Sequence, residues 1–357
     1  MIRYIIRRLL WAVVLFIAVT LVTFVIFYLI PVDPARLAAG KAATPADVKR
    51  VAHQLYLDQP IWKQYLHFLD QLVLHGNLGY SYANRQSVND VIRSAAPITA
   101  SLVIGAAILW MLIAIPIGVL SALRPRSALD RFSMVFVLIG VSAHPVWIAL
   151  ILSYVFGFKL GITPIAGYCD FFNSHLTCGG AVDWTYHMLL PWLTFALLFA
   201  ALYTRMIRAM VMETMQEEYV RTARAKGASS ARVLKSHVLR NAMLPIVTML
   251  GMDIAVAFGG ALFIETVFDL PGVGQMLYDA ATRLDLPVIM GVFLVITFAV
   301  VIANLIADIV CMVLDPRMHV SRVSSYGKAK GPGIFSRAAG RATPPTPARS
   351  ASATAPR

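Results

Sequence analysis

From Leu9 to Ile30 the chain reads LLWAVVLFIAVTLVTFVIFYLI, 22 residues without a charged side chain. At about 1.5 Å per residue a helix of that length spans roughly 33 Å, enough to cross the hydrocarbon core of a bilayer. In lipid every backbone N–H and C=O must find its partner within the protein, so such a run closes into a helix. Arg3, Arg7 and Arg8 precede it, as they would in a cleaved leader. The apolar stretch is too long for a leader's core, however, and the Pro31–Pro34 segment that follows offers no small-residue cleavage site. The reading is a retained transmembrane helix.

Five more stretches have the same character, at about 98–123, 132–158, 188–209, 244–266 and 287–314. The composition agrees, with 59% hydrophobic and only 14% charged residues. Several stretches hold helix-disturbing residues, among them Pro116, Pro145, Pro191 and the Gly259–Gly260 pair. Neighbouring helices re-satisfy the backbone at such points, whether they are plain kinks or breaks lining a path. Orientation follows from the short connections. With the N-terminus inside, these hold three, three and eight Lys plus Arg on the cytoplasmic side against one and one outside. Both termini are therefore expected in the cytoplasm of a multi-pass protein of the inner or plasma membrane. The net charge of +13 is a consequence of that topology, and no nucleic-acid motif accompanies it.

Four regions are expected: a transmembrane helix at 1–30, an extracytoplasmic helical region at 31–97, a five-helix core at 98–318 and a disordered basic cytoplasmic tail at 319–357. Within 31–97, Thr44 before Pro45 predicts a helix N-cap with proline in the first turn. After Pro60, Ile61, Tyr65, Phe68, Leu69 and Leu72 recur at helical spacing beside Trp62. That amphipathic helix either lies on the membrane face or packs on the protein's own helices. Cys169 and Cys178 share the 159–187 loop, where they either form a short-loop disulfide or remain thiols.

Catalytic signatures are missing. The sequence contains no G-x-x-x-x-G-K-[ST] phosphate loop, no His/Cys set with metal-ligand spacing and no G-x-S-x-G elbow. An enzyme is not indicated, and neither a bound cofactor nor a metal is expected in this chain. Ionisable residues inside the spans say more. Asp253 lies nine residues into the 244–266 span, while Asn304 and Asp308 share one face of the last. A carboxylate at mid-helix costs about 2.5–3.5 kcal/mol on insertion scales, so it faces a bundle interior or a wet cavity. These three residues are candidates for a substrate pathway, with buried structural polar contacts as the alternative.

Residues 218–245, EYVRTARAKGASSARVLKSHVLRNAMLP, place six Lys or Arg and a single acid between two apolar spans. The composition predicts a short helix up to Lys226, with Glu217 and Arg221 at supporting i,i+4 spacing. Gly227 fits the left-handed position after a helix end, and Ser229 or Ser230 offers the cap of the next helix. Such an exposed helix, held by its flanking spans, serves either as a handle for another protein or as a lipid-binding loop.

The same stretch resembles the cytoplasmic coupling loop of ABC-importer permeases, in particular the B-type subunit of dipeptide, oligopeptide and nickel transporters. Further segments resemble that family in the same order: LDQPIWKQYLHFL (57–69), GNLGYSY (76–82), IPIGVLSALRPRSALDR (115–131), ETVFDLPGVGQMLYDA (265–280) and LDPR (314–317). The resemblance covers residues 1–318. It implies an all-α polytopic protein with six transmembrane helices in the type I importer permease fold, with a helical insertion after the first. It also implies a homologous C-type permease partner, two cytoplasmic ATP-binding subunits that hold ATP and Mg, and an extracytoplasmic substrate-binding protein. Within the coupling loop, 210–243, the helix and turn formed by Glu218, Tyr219, Val220, Arg221, Thr222, Ala223, Arg224, Ala225, Lys226 and Gly227 would dock into the ATPase groove. The general importer pattern, Glu-Ala-Ala followed by three residues and Gly, falls here on Arg221, Thr222, Ala223 and Gly227. Arg221 therefore does not inherit the glutamate's contact. The implied cargo is a peptide, with nickel chelates or glutathione-like compounds as the alternative. A self-sufficient secondary transporter or channel would want inverted repeats or a charge relay, and the sequence has neither.

Overall fold

The computed structural model describes residues 2–29, 34–40, 43–54, 56–81, 83–171 and 178–314; the predicted tail at 319–357 lies outside them. Among the described residues the chain is helical, with only two isolated bridges, Tyr80–Ser87 and Asp170–Gly179, in place of strands. The first long helix, α1 (Ile2–Leu29), is followed by three shorter ones, α2 (Pro34–Ala39), α3 (Pro45–Gln54) and α4 (Ile61–Leu74). At the start of α3, Asp47 N–H donates to Thr44 Oγ1 at 3.3 Å, and the Asp47 carboxylate accepts from Thr44 N–H at 3.2 Å. This reciprocal capping satisfies two donors that a helix start leaves open. The Thr44 hydroxyl, which also donates to that carboxylate at 2.7 Å, and then the Thr44 amide hold the Asp47 carboxyl below the usual carboxylate range.

The bundle proper consists of α5 (Val88–Leu123), α6 (Ala128–Ser142), α7 (Pro145–Leu152) with its π-helical continuation Ser153–Lys159, α8 (Ala181–Thr214), α9 (Glu218–Ala225), α10 (Ser230–Arg232), α11 (Arg240–Phe268), α12 (Val273–Arg283) and α13 (Leu286–Leu314). Among the described residues, five helical stretches are long and apolar enough to cross a membrane. One of them is the unbroken 39-residue run Ser230–Phe268, which joins α10 to α11 through π-helical Val233–Leu239. The expected single span at 132–158 is instead two helices, α6 and α7, bent by 110°. The cause is Pro145. The residue before a proline is driven out of the helical region, and His144 sits at φ −76°, ψ 141°. The chain restarts with Pro145 in the first turn and the His144 ring accepting from Val146 N–H at 3.3 Å. Counted as one crossing, the bent pair brings the number to six.

Small residues set the helix spacing, as they do where lipid supplies no hydrophobic drive between helices. A side chain at Gly140 would run into Ala201 of α8, and one at Gly251 into Ala307 of α13. The core lies between α5 and α8, where fully buried Trp110 stacks on Phe199 at 4.6 Å and meets Tyr203 in a tilted contact at 6.0 Å. The alternating crossings put the α5–α6 turn and α9 at one end of the bundle. That end carries most of the basic connections, and α2–α4 and α12 lie at the other.

Candidate functional site

At the basic end, α8 stops at Thr214 and α9 follows after a turn. Glu217 is the extended N-cap residue, so its side chain leaves the helix face, and Arg221 pairs with Glu218 at 3.2 Å rather than with Glu217. That corrects the expected i,i+4 pair. Both members are largely solvated, so the pair adds little stability. At the other end of α9, Gly227 N–H donates to Arg224 O at 2.9 Å and Ala228 N–H to Ala223 O at 3.2 Å. These two bonds are those of a Schellman motif, with Gly227 at φ +80° in the left-handed position. Ser229 occupies the N-cap of the next helix, but its hydroxyl makes no capping bond; only its backbone carbonyl takes Val233 N–H, at 2.9 Å.

The short helix is held from one side only. Val220 is its single fully buried residue and packs with Val233 and Val238, while Ala223 is half-buried in the same cluster. Tyr219 Oη accepts from Asn241 Nδ2 at 2.8 Å. All of these partners belong to the continuous helix that leads into α11. Glu218, Arg221, Thr222, Arg224, Ala225 and Lys226 face outward. The face of α9 that is held is thus fixed to the continuous 39-residue helical run Ser230–Phe268.

Behind α9 the last turns of α8 are clamped. Arg208 Nε donates to Asp130 Oδ1 at 2.7 Å and Nη2 to Oδ2 at 3.1 Å, a two-point fork. The same carboxylate accepts from Ser121 of α5 and, at 2.8 Å, from the Arg126 amide in the α5–α6 turn. The carboxylate thus ties together α5, α6 and α8. The RPRSALD segment entered the family resemblance, yet nothing in the sequence links Asp130 to a residue 78 positions away.

At the opposite end another acid organises the structure. Glu265, fully buried near the end of α11, accepts from Gly274 N–H at 2.7 Å and Gln275 N–H at 3.0 Å, and from Thr99 Oγ1 at 2.6 Å. Thr99 Oγ1 in turn accepts from Val273 N–H at 2.8 Å. The carboxylate sits on the N-terminus of α12, where three open amides and the helix dipole favour a negative group. Close approach requires glycine here: a Cβ at Gly274 would lie 2.5 Å from the Leu262 backbone. This explains the ETVFDLPGVGQM segment. A cavity of about 550 Å³ opens beside it, between α12, the first turns of α5 and Tyr168, whose phenol burial pushes upward.

Asp253 is half-buried and accepts a 2.7 Å hydrogen bond from Tyr203 Oη of α8. Asn304 donates to Val300 O in its own helix at 3.0 Å. The Asp308 side chain lies outside the described residues. Among the described residues no hydrogen bond joins Asp253 to Asn304. Cys169 and Cys178 are joined as a disulfide with Cα atoms 5.5 Å apart, and His187 packs against the Cys169 sulfur at 3.2 Å.

The sequence profile of the binding-protein-dependent transport system inner membrane component matches residues 114–320, and that family's N-terminal region matches residues 1–103. A putative peptide permease of Brucella suis is 39% identical over 324 residues, covering 90% of this chain and 100% of the relative. The dipeptide transport system permease DppB of Escherichia coli K12 is 34% identical over 338 residues, covering 89% and 99%. Among solved structures, an inward-facing methionine ABC transporter, MetNI, aligns with a TM-score of 0.48 at 16% identity, over 63% of this chain and 96% of that one.

Proposed function

We propose, from the premise that this chain belongs to the binding-protein-dependent transport inner-membrane component family, that it is the permease subunit of an ATP-driven peptide importer. The peptide cargo rests on the names of the relatives, putative peptide and dipeptide permeases. The basic end is then cytoplasmic, with both termini on that side. A second, C-type permease completes the path, two ATP-binding subunits carry ATP and Mg, and a binding protein delivers substrate to the α12 end. Residues 1–30, 31–97, 98–318 and 319–357 serve as first span, external region, permease core and cytoplasmic tail.

The observation that carries this reading is the mounting of α9. Val220, Ala223 and Tyr219 fix one face of it to the helix that becomes α11, and the outward face from Glu218 to Lys226 is left for a partner. ATP-driven closure of the ATPase pair pushes α9, and the long helix behind it tilts. The clamp between Asp130 and Arg208 makes α5, α6 and α8 move together. In the same reading Asp253 faces the substrate path with Tyr203 holding its carboxyl, Asn304 and Asp308 line it further along, and the Cys169–Cys178 bond secures the external loop.

Gly227 supplies the test. Its φ of +80° strains any other residue by about 1–2 kcal/mol, while a Cβ there meets nothing within 4 Å among the described residues. Gly227→Arg therefore inserts and folds, and what it disturbs is a docking partner. The expected result is loss of uptake and of substrate-stimulated ATP hydrolysis in the assembled transporter, with normal membrane levels. Normal uptake by this variant refutes the coupling role of α9.

A further inference from the structure

The external helix α4 (Ile61–Leu74) is amphipathic in an inverted sense. Part of its polar side is turned toward the protein, while Lys63 and Asp70 stay exposed: Gln64 Nε2 donates to Leu57 O at 3.2 Å and to Gln59 O at 2.8 Å, and the His67 ring lies 4.3 Å from Tyr56. Its apolar arc is wider than the protein covers. Tyr65 and Phe68 meet Phe24 of α1, with ring centroids at 5.3 and 6.2 Å, and Tyr65 Oη is 3.1 Å from Thr20 Oγ1. The rest of the arc stands open, with Trp62, Leu66 and Val73 exposed by 60%, 56% and 68%. A helix at a water-facing surface presents the reverse pattern.

Depth along α1 identifies what covers that stripe. Phe24 and Thr20 lie six and ten residues before Ile30, where the uncharged run of the sequence ends. At 1.5 Å per residue the contacts are about 9 and 15 Å inside the end of that run. An interfacial helix buries its apolar face about 5–10 Å below the headgroup boundary, and a tyrosine reaching down from such a helix meets α1 at this level. Along α1 itself, apolar Trp11, Val14, Val22 and Val25 are likewise exposed. Lys63 Nζ sits 5.5 Å from the centre of the Trp62 ring, a pairing suited to the headgroup boundary, where the ring is half-buried and the ammonium stays wet.

We infer that α4 lies in the leaflet on its own side, outer in the proposed orientation, with Trp62, Leu66 and Val73 in acyl chains and Lys63 and Asp70 at the headgroups. It thereby fixes the height of the 31–97 region above the pathway. The inference depends on α1 spanning the membrane and not on the cargo or on ATP coupling.

The test uses the assembled transporter in nanodiscs, with nitroxide labels at Leu66→Cys, Val73→Cys, Lys63→Cys and Asp70→Cys in a Cys311→Ala background. Power saturation compares oxygen, which concentrates in lipid, with a nickel chelate confined to water. At 66 and 73 oxygen is expected to dominate severalfold, and at 63 and 70 the nickel chelate. Nickel dominance at 66 and 73 overturns the inference in favour of a solvated surface. Low accessibility to both reagents there overturns it in favour of a protein partner. Trp62 gives a check on an intact helix. The emission lost in Trp62→Phe should be quenched by lipids brominated near the headgroup and not by aqueous iodide, and quenching by iodide overturns the placement.

Discussion

Removing the Glu265 carboxylate should release the start of α12. In Glu265→Ala the amides of Gly274 and Gln275 and the hydroxyl of Thr99 lose an acceptor held at 2.6–3.0 Å. Gln275 reaches solvent and is rescued by water, but Gly274 and Thr99 are buried. A buried donor left unpaired costs about 1–3 kcal/mol, so these two contribute roughly 2–6 kcal/mol. Loss of negative charge at the helix N-terminus adds about 0.3–1 kcal/mol. Even at about 3 kcal/mol, the local opening equilibrium of α12 shifts by roughly two orders of magnitude. Hydrogen–deuterium exchange over 273–283 reads this directly, and amides at the centre of α8 serve as the internal control. Glu265→Gln should show a much smaller rise, because one oxygen still accepts from the two amides. Gly274→Ala should reproduce the alanine effect without touching the charge, since the new Cβ meets Leu262 backbone atoms that cannot swing away. Unchanged exchange of α12 in Glu265→Ala refutes the anchoring role.

Two further outcomes rest on other polar pairs. Asp130→Ala strands Arg208, and removing one member of a buried pair costs about 3–5 kcal/mol. The lower figure applies because Arg208 keeps 24% of its side chain exposed, and a thermal midpoint in detergent equal to the parent's contradicts the clamp. Asp253→Asn keeps an acceptor for Tyr203 and loses only the charge, so stability should hold while uptake or peptide preference changes; unaltered transport removes Asp253 from the path.

Much of the fold is legible because lipid leaves few options. An uncharged run such as Leu9–Ile30 has to become a helix, and the alternating basic connections order the crossings. Local backbone chemistry was equally readable at Gly227, where only a left-handed turn ends the short helix as the sequence requires. Pro145 was visible as a disturbance, but its consequence was not: apolar periodicity runs through 132–158 without showing that the chain turns by 110°. Charged residues near span ends mislead in a similar way. Glu265 and Asp130 look like boundary charges, because the groups that bury them arrive from Thr99 and Arg208, 166 and 78 positions away. The i,i+4 spacing of Glu217 and Arg221 misleads because a cap residue leaves the helix face, which spacing alone does not reveal.

The central claim, that α9 is where the ATPases take hold, is tested most directly by photo-crosslinking in the intact transporter. A benzophenone side chain at Ala225, on the outward face of α9, should form an adduct with the mass of an ATP-binding subunit. The same probe at Leu160, exposed at the opposite end of the bundle, should form none with that subunit. Absence of an ATPase adduct at 225, or equal capture from 160, contradicts the account.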